Sequence, residues 1–219
     1  MTSGFGFLGG AKSRLLPASI PLRFFAAAVA LHVLLWAALL GAADQMISFR
    51  GGLAPPLAAV HLLVLGVLTT TAIGAATQLL PVATRRAHVA HWPIKLVFWV
   101  FVPGLTALTT GMYAGRVPLI VGGASASAIG LMLFAFLLAD NLRRARGLVI
   151  VAAYGWTALG ALLGAVALGL ALSLDFARGF LPDHLALARA HMILGAYGFM
   201  GLLALGFSHI LVPMFALSS

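Results

Sequence analysis

Long apolar stretches separated by short polar connections dominate this sequence. A helix needs about 20 apolar residues to cross the hydrocarbon core of a bilayer. Six stretches meet this length, at roughly residues 22–42, 57–80, 94–113, 117–140, 148–173 and 186–215. The connections are rich in Gly, Pro and Arg, as is typical of turns. The pattern therefore predicts an all-α integral membrane bundle of six transmembrane helices over residues 21–219, preceded by an N-terminal tail over residues 1–20.

Composition supports a membrane protein and excludes several kinds of site. Hydrophobic residues make up 63% of the chain and charged residues only 8%, and the mean hydropathy is +1.12. A soluble domain has about a quarter charged residues. Cysteine is absent, which excludes disulfides, thiolate metal sites and covalently attached c-type haem. The net charge of +9 resides mainly in short loops. We therefore expect the lipid bilayer as the partner of these residues and do not expect binding of nucleic acid.

The distribution of Lys and Arg predicts the orientation. The end of the bundle that holds the N-terminus carries Lys12, Arg14, Arg23, Arg85, Arg86, Lys95, Arg143, Arg144 and Arg146. The other end carries Arg50, Arg116, Arg178 and Arg189. Positive residues concentrate on the cytoplasmic side of membrane proteins. We therefore expect a multi-pass protein of the cell inner membrane with both termini, including the tail, in the cytoplasm.

Small residues mark expected helix–helix contacts. The fourth stretch contains "GGASASAIG" at residues 122–130, and the fifth has Gly160 and Gly164 at GxxxG spacing. Small side chains let helix backbones approach closely. Plain helix packing is the favoured interpretation of both patterns.

Histidines open the second and sixth stretches, and they are the main candidate ligands. His61 and His191 each lie about one turn inside the outer face, so they are expected at similar depth. Ionisable side chains within a membrane usually face the bundle interior. Two neutral imidazoles on different helices in an apolar core suit the axial positions of one haem iron. Each is followed by a glycine within five residues, Gly66 or Gly195, which would leave room for a flat macrocycle. The alternative is a pair of interfacial histidines bonded to backbone or water.

Other histidines are weaker candidates for metal binding. Those considered as additional ligands are His32, His184 and His209. An α-helical spacing of 100° per residue places His184, His191 and His209 on one stripe, yet His209 lies about 27 Å below His191. His209 is therefore expected to be structural, and His32 to make a hydrogen bond in the core. His184 lies in an outer loop with Asp183, where a metal site is the less favoured alternative. His88 and His91, which follow Arg85 and Arg86, are expected in a solvated loop.

The second and sixth stretches also share a spacing pattern. Gly66, Gly74 and Pro81 correspond to Gly198, Gly206 and Pro213 at a constant offset of 132 residues. A duplication, a shared helix motif and chance in a glycine-rich chain all remain open. His61 corresponds to Ile193 at this offset, which counts against a strict repeat.

The segment "HLLVLGVLTTTAIGAATQLLPV" at residues 61–82 resembles the second helix of the haem-copper oxidase subunit I superfamily. It is more similar to short relatives of that superfamily and to the nitric-oxide-response membrane proteins called NnrS. The matching positions are His61, Leu65, Gly66, Gly74, Gln78, Leu80 and Pro81. "PLRFF" at 21–25 and the segment 190–215 are also similar. The resemblance implies that His61 is a haem ligand and His191 the second. The paired histidines that hold copper in oxidases are missing, so it does not imply oxygen reduction.

These observations favour a membrane-embedded b-type haem protein that transfers electrons near the outer leaflet. Haem b is the expected cofactor, and a redox partner or a larger membrane complex is the expected partner. One alternative is a non-redox scaffold subunit of such a complex. Another is copper or haem handling, or nitric-oxide tolerance, with copper as the less favoured metal. Whether the protein is an enzyme stays open.

Overall fold

The computed structural model describes residues 15–84, 90–145 and 148–216, and all regular structure in these ranges is helical. Six helices are long and apolar enough to span a membrane, which confirms the predicted fold class. They are α1 (Ser19–Gly41), α2 (Pro55–His61, Leu62–Thr69 and Thr70–Ala83), α3 (Trp92–Ala114), α4 (Val117–Arg144), α5 (Val149–Arg178) and α6 (His184–Ile193, Leu194–Gly201 and Leu202–Phe215). The central segments of α2 and α6 are π-helical. A short helix, Ala43–Met46, follows α1.

The helix ends follow local sequence signals. Helices α3 and α5 end at Gly115 and Gly179, both left-handed with φ of 65° and 60°, as suits glycine after a helix. The Gly179 N–H donates to Asp175 O at 2.8 Å, so α5 extends five residues beyond its predicted end. Consecutive helices alternate in direction. The connections 42–54, 115–116 and 179–183 therefore share one end of the bundle, which we call the upper end.

The predicted tail is partly integrated into the bundle. Residues 1–14 lie outside the described ranges, but Leu16 is buried, with its N–H donating to Gln78 Oε1 at 3.2 Å. Helix α1 begins at Ser19, two residues earlier than expected. The chain before α1 is thus tied to the lower half of α2 by one hydrogen bond, and Leu16 belongs to the buried hydrophobic core.

Glycines bring α3 and α4 into close contact. A Cβ on Gly123 would collide with the backbone of Leu108, and one on Gly130 would lie 2.6 Å from Phe101 Cβ. This confirms the packing role expected for "GGASASAIG". The expectation for α5 holds only in part. Gly164 faces Leu194 of α6, but Gly160 is exposed, and a Cβ added to it would meet no atom within 4 Å.

The hairpins α1–α2 and α5–α6 are built alike. Their π-helical segments, Leu62–Thr69 and Leu194–Gly201, have the same length and the same 132-residue offset as the glycines. Gly66 and Gly74 pack on Leu31 and Phe24 of α1, whereas Gly198 and Gly206 pack on Ala161 and Tyr154 of α5. Leu31 and Ala161 are 130 residues apart in sequence, and so are Phe24 and Tyr154. His61 and His191 have the same separation. The shared architecture therefore includes the histidines, with a two-residue shift before the second π segment.

Candidate functional site

A largely apolar cavity of about 360 Å³ occupies the upper half of the bundle. Its wall is formed by α2, α5 and α6, together with parts of α3, α4 and the 49–52 loop. The volume falls within the range of small-molecule pockets, about 300–1,000 Å³. The cavity reaches from the 49–52 loop at the upper end down to Thr69, Ser127 and Phe199. A ligand in this space would therefore be surrounded by apolar side chains along most of its length.

His61 and His191 lie on opposite helices of this cavity with their rings nearly parallel. The ring centroids are 6.2 Å apart and the planes differ by 17°. Paired aromatic rings have centroids about 4.5–7 Å apart, so the two imidazoles are direct neighbours in the cavity. Two nitrogen–metal bonds of about 2.0 Å, plus about 1.1 Å from each nitrogen to its ring centre, place centroids about 6.3 Å apart in a linear arrangement. The observed centroid separation is close to this value.

Hydrogen bonds fix the tautomer of both rings. His61 Nδ1–H donates to Leu57 O at 2.9 Å, and His191 Nδ1–H donates to Ala165 O at 2.9 Å. A carbonyl oxygen can only accept, so Nδ1 must carry the proton and Nε2 the lone pair. In metal-binding histidines, a hydrogen bond from the nitrogen that does not hold the metal orients the ring and raises the basicity of the other nitrogen. Each ring therefore presents the nitrogen that a metal requires.

Glycines shape the surroundings of His191. A Cβ on Gly169 of α5 would lie 3.0 Å from His191 Cε1, so the ring rests against a bare helix backbone. Gly195 lines the cavity, and no atom lies within 4 Å of its Cβ position, as expected for a residue that leaves room. The same expectation for Gly66 is wrong. Gly66 faces Leu31 of α1, because its position one turn below His61 points away from the cavity.

The π-helical segments begin one residue after His61 and three residues after His191. In the first, Thr69 Oγ1 donates to Val64 O and Thr70 Oγ1 donates to Leu65 O, at 2.8 and 2.9 Å. Both bonds reach five residues back, which matches the wider turn of a π-helix. Thr69 Oγ1 also lies 3.6 Å from Met200 Sδ. This contact joins α2 to α6 at the cavity floor, directly below the two histidines.

His184 also lines the cavity, at its mouth. Its expected partner, Asp183, instead caps α6 by accepting from Ala186 N at 2.9 Å. The partner is Asp175 of α5, whose Oδ2 lies 2.7 Å from His184 Nδ1. Asp175 Oδ1 also accepts from Leu181 N at 2.7 Å, so the carboxylate is held between backbone and imidazole.

His32, His91 and His209 do not line the cavity. His32 is exposed beside Trp36, with ring centroids 6.1 Å apart, so the expected core position is wrong. Leu31 lies on the buried side of α1, and the next residue, His32, is turned about 100° away from that side. His209 is exposed against Tyr154 of α5, with centroids 5.5 Å apart. The predicted stripe of histidines does not form, because the π segment turns the lower part of α6 away from the face of His191. His91 precedes α3 at the lower end, and His88 lies outside the described residues.

Within the described ranges, no group of three or more His, Cys, Asp or Glu side chains is arranged to hold a metal ion. The cavity instead offers two imidazole nitrogens in an apolar enclosure. One further polar atom, Ser127 Oγ, is buried in the wall without a hydrogen-bond partner among the described residues. This donor set fits a large apolar ligand that supplies its own equatorial metal ligands.

Comparisons with known proteins gave no match to a family model, a curated protein or a solved structure.

Proposed function

We propose that this chain is a membrane-embedded b-type haem protein in which His61 and His191 provide the two axial ligands. The observation that carries the proposal is the pair of near-parallel imidazoles in an apolar cavity, with ring centroids 6.2 Å apart. The resemblance of residues 61–82 to a haem-binding helix points the same way. Haem supplies four equatorial nitrogens, so the protein needs to supply only two.

A bare metal ion fits this site less well than a haem. Copper or zinc usually takes three or four protein ligands in a small enclosure. Here two ligands face a cavity of about 360 Å³ lined mainly by aliphatic side chains. Burial of a flat apolar macrocycle would use that surface, because transfer of apolar area from water is favourable. We therefore favour haem over copper at this position.

Electron transfer is the use that two axial histidines favour. Haem bound in this way changes redox state without an open coordination position, and the apolar shell sets its potential. His61 and His191 would hold the iron, while Leu57 and Ala165 carbonyls orient the imidazoles. The basic lower end favours an inner-membrane orientation with cytoplasmic termini. The haem would then lie near the outer leaflet, within reach of a redox partner at the upper end.

The test is haem content and spectrum of the purified full chain with histidines replaced one at a time. We expect the wild-type protein to show a low-spin reduced-minus-oxidised spectrum and a positive pyridine haemochrome assay. H61A and H191A should each lose the low-spin form. Added imidazole should restore it, because the ring enters the space that the side chain leaves. H32A and H209A are the matched controls, since both rings are exposed and outside the cavity.

Two results would contradict the proposal. One is a folded wild-type protein that binds no haem under haem-sufficient expression; a non-redox scaffold would then be the better description. The other is a low-spin spectrum that survives both H61A and H191A. Metal analysis of the same samples distinguishes copper, which would appear in stoichiometric amount without a haem band.

A further inference from the structure

The wall of the cavity is electrically asymmetric. Among its described lining residues no carboxylate occurs, and Arg189 is the one that always carries a charge. Arg189 lies two residues before His191, about 3 Å higher along α6. It is exposed at the upper end. The lower wall is apolar apart from hydroxyl groups such as those of Thr69 and Ser127. An elongated ligand with one acidic edge would therefore be favoured with that edge at the mouth.

A second group at the mouth can bind an anion. His184 lies seven residues before His191, about 10 Å higher along α6. Its ring is held by the 2.7 Å contact with Asp175 and packs against Phe176, with centroids 4.8 Å apart. Its Nδ1 faces Asp175 Oδ2, so Nε2 is the ring nitrogen that remains for another polar group. The ring is 29% exposed, so an incoming polar group can reach it.

The loop opposite these residues leaves the mouth open. Gly51 and Gly52 line it, and both have positive φ, 106° and 86°. Glycine alone adopts this conformation without strain. A Cβ on Gly52 would meet no atom within 4 Å. Phe49 adds a side chain to the wall, but Gly51 and Gly52 contribute backbone only, so space remains beside Gly52 for polar substituents of a ligand.

Resting on the haem assignment above, we propose that Arg189 and His184 bind the two carboxylates of the iron porphyrin. Asp175 is a positioning residue that orients His184. The porphyrin then stands with its acidic edge toward the upper end and its apolar edge against the floor. Arginine and imidazolium both form charge-assisted hydrogen bonds with carboxylates. Arg189 and His184 together determine which edge of the porphyrin points toward the mouth of the cavity.

The experiment compares two porphyrins in the haem-free full chain, purified in detergent. One is iron protoporphyrin IX, and the other is its dimethyl ester, in which both carboxylates are neutral. Binding is measured by titration of the low-spin absorbance band at low salt. R189Q should weaken the acid form about fivefold, as for an exposed ion pair, and leave the ester unchanged. H184Q should act in the same way.

The matched control is R178Q, which removes an exposed arginine from the same end but outside the cavity wall. It should alter neither titration. R189Q and H184Q variants that weaken both porphyrins equally, or neither, would overturn the carboxylate assignment while leaving haem binding intact. A wild-type chain that binds neither porphyrin would instead overturn the proposed function itself.

Discussion

Replacement of Gly169 by alanine should displace His191 without removing any ligand. The added Cβ would lie 3.0 Å from His191 Cε1, whereas carbon atoms in contact prefer about 3.5–4.0 Å. The ring must therefore move by roughly 0.5 Å. It cannot do so freely, because its Nδ1–H is bonded to Ala165 O at 2.9 Å. Metal sites tolerate about 0.2 Å in bond distance, so a haem iron held as proposed would lose its bonding distance to the His191 nitrogen.

The expected loss is about tenfold to a hundredfold in haem affinity, the range seen when the support of a metal ligand is disturbed. G160A is the matched control on the same helix, since its Cβ would meet no atom within 4 Å. Both changes should stabilise the helix itself by up to about 1 kcal/mol, and this common gain cancels in the comparison. Only the contact with His191 differs between them.

The assay is titration of the haem-free protein with haem, followed by the low-spin absorbance and by thermal unfolding before haem is added. We expect G160A to bind like the wild type. We expect G169A to bind more weakly, or to give a partly high-spin spectrum, while the haem-free protein melts at or above the wild-type temperature. A folded G169A protein with wild-type affinity and spectrum would refute the inference that the Gly169 backbone positions the ligand.

Two further predictions concern orientation and packing. A cysteine at Ser219 should resist a membrane-impermeant maleimide in intact cells, whereas F180C at the upper end should react. The chain has no cysteine of its own, so it gives no background labelling. The opposite labelling pattern would show that the topology is reversed. G123A should destabilise the detergent-solubilised protein by about 1–3 kcal/mol through overpacking against Leu108, whereas G122A, whose Cβ would meet nothing within 4 Å, should not; equal unfolding temperatures for the two variants would contradict the close contact of α3 and α4.

The six helices could be predicted because the bilayer requires a specific length of apolar residues. The same physical rule gave the depth of His61 and His191, since two helices that enter from one face place corresponding positions at the same level. The small-residue pattern of α4 predicted a close helix contact because small side chains let helix backbones approach each other.

Features that depend on rotation about a helix could not be predicted in this way. The stripe through His184, His191 and His209 assumed 100° per residue, and the π segment Leu194–Gly201 breaks that assumption. Gly66 was expected beside the macrocycle but faces α1. The roles of Gly169 and Asp175 in supporting histidines depend on contacts between helices, which no spacing within one segment reveals. The shared 130-residue separation was present in the sequence but concealed by the two-residue shift.

The likeness of the two hairpins has a consequence for assembly. Each hairpin contributes one imidazole, from positions 130 residues apart, so neither half of the chain contains a complete ligand pair. A group held by both acts as a cross-link between the first and last thirds of the bundle. Ligand present at 100 times its dissociation constant adds about 2.7 kcal/mol to the assembled state. In this chain that free energy would oppose separation of α2 from α6, which are also joined by the Thr69–Met200 contact below the site.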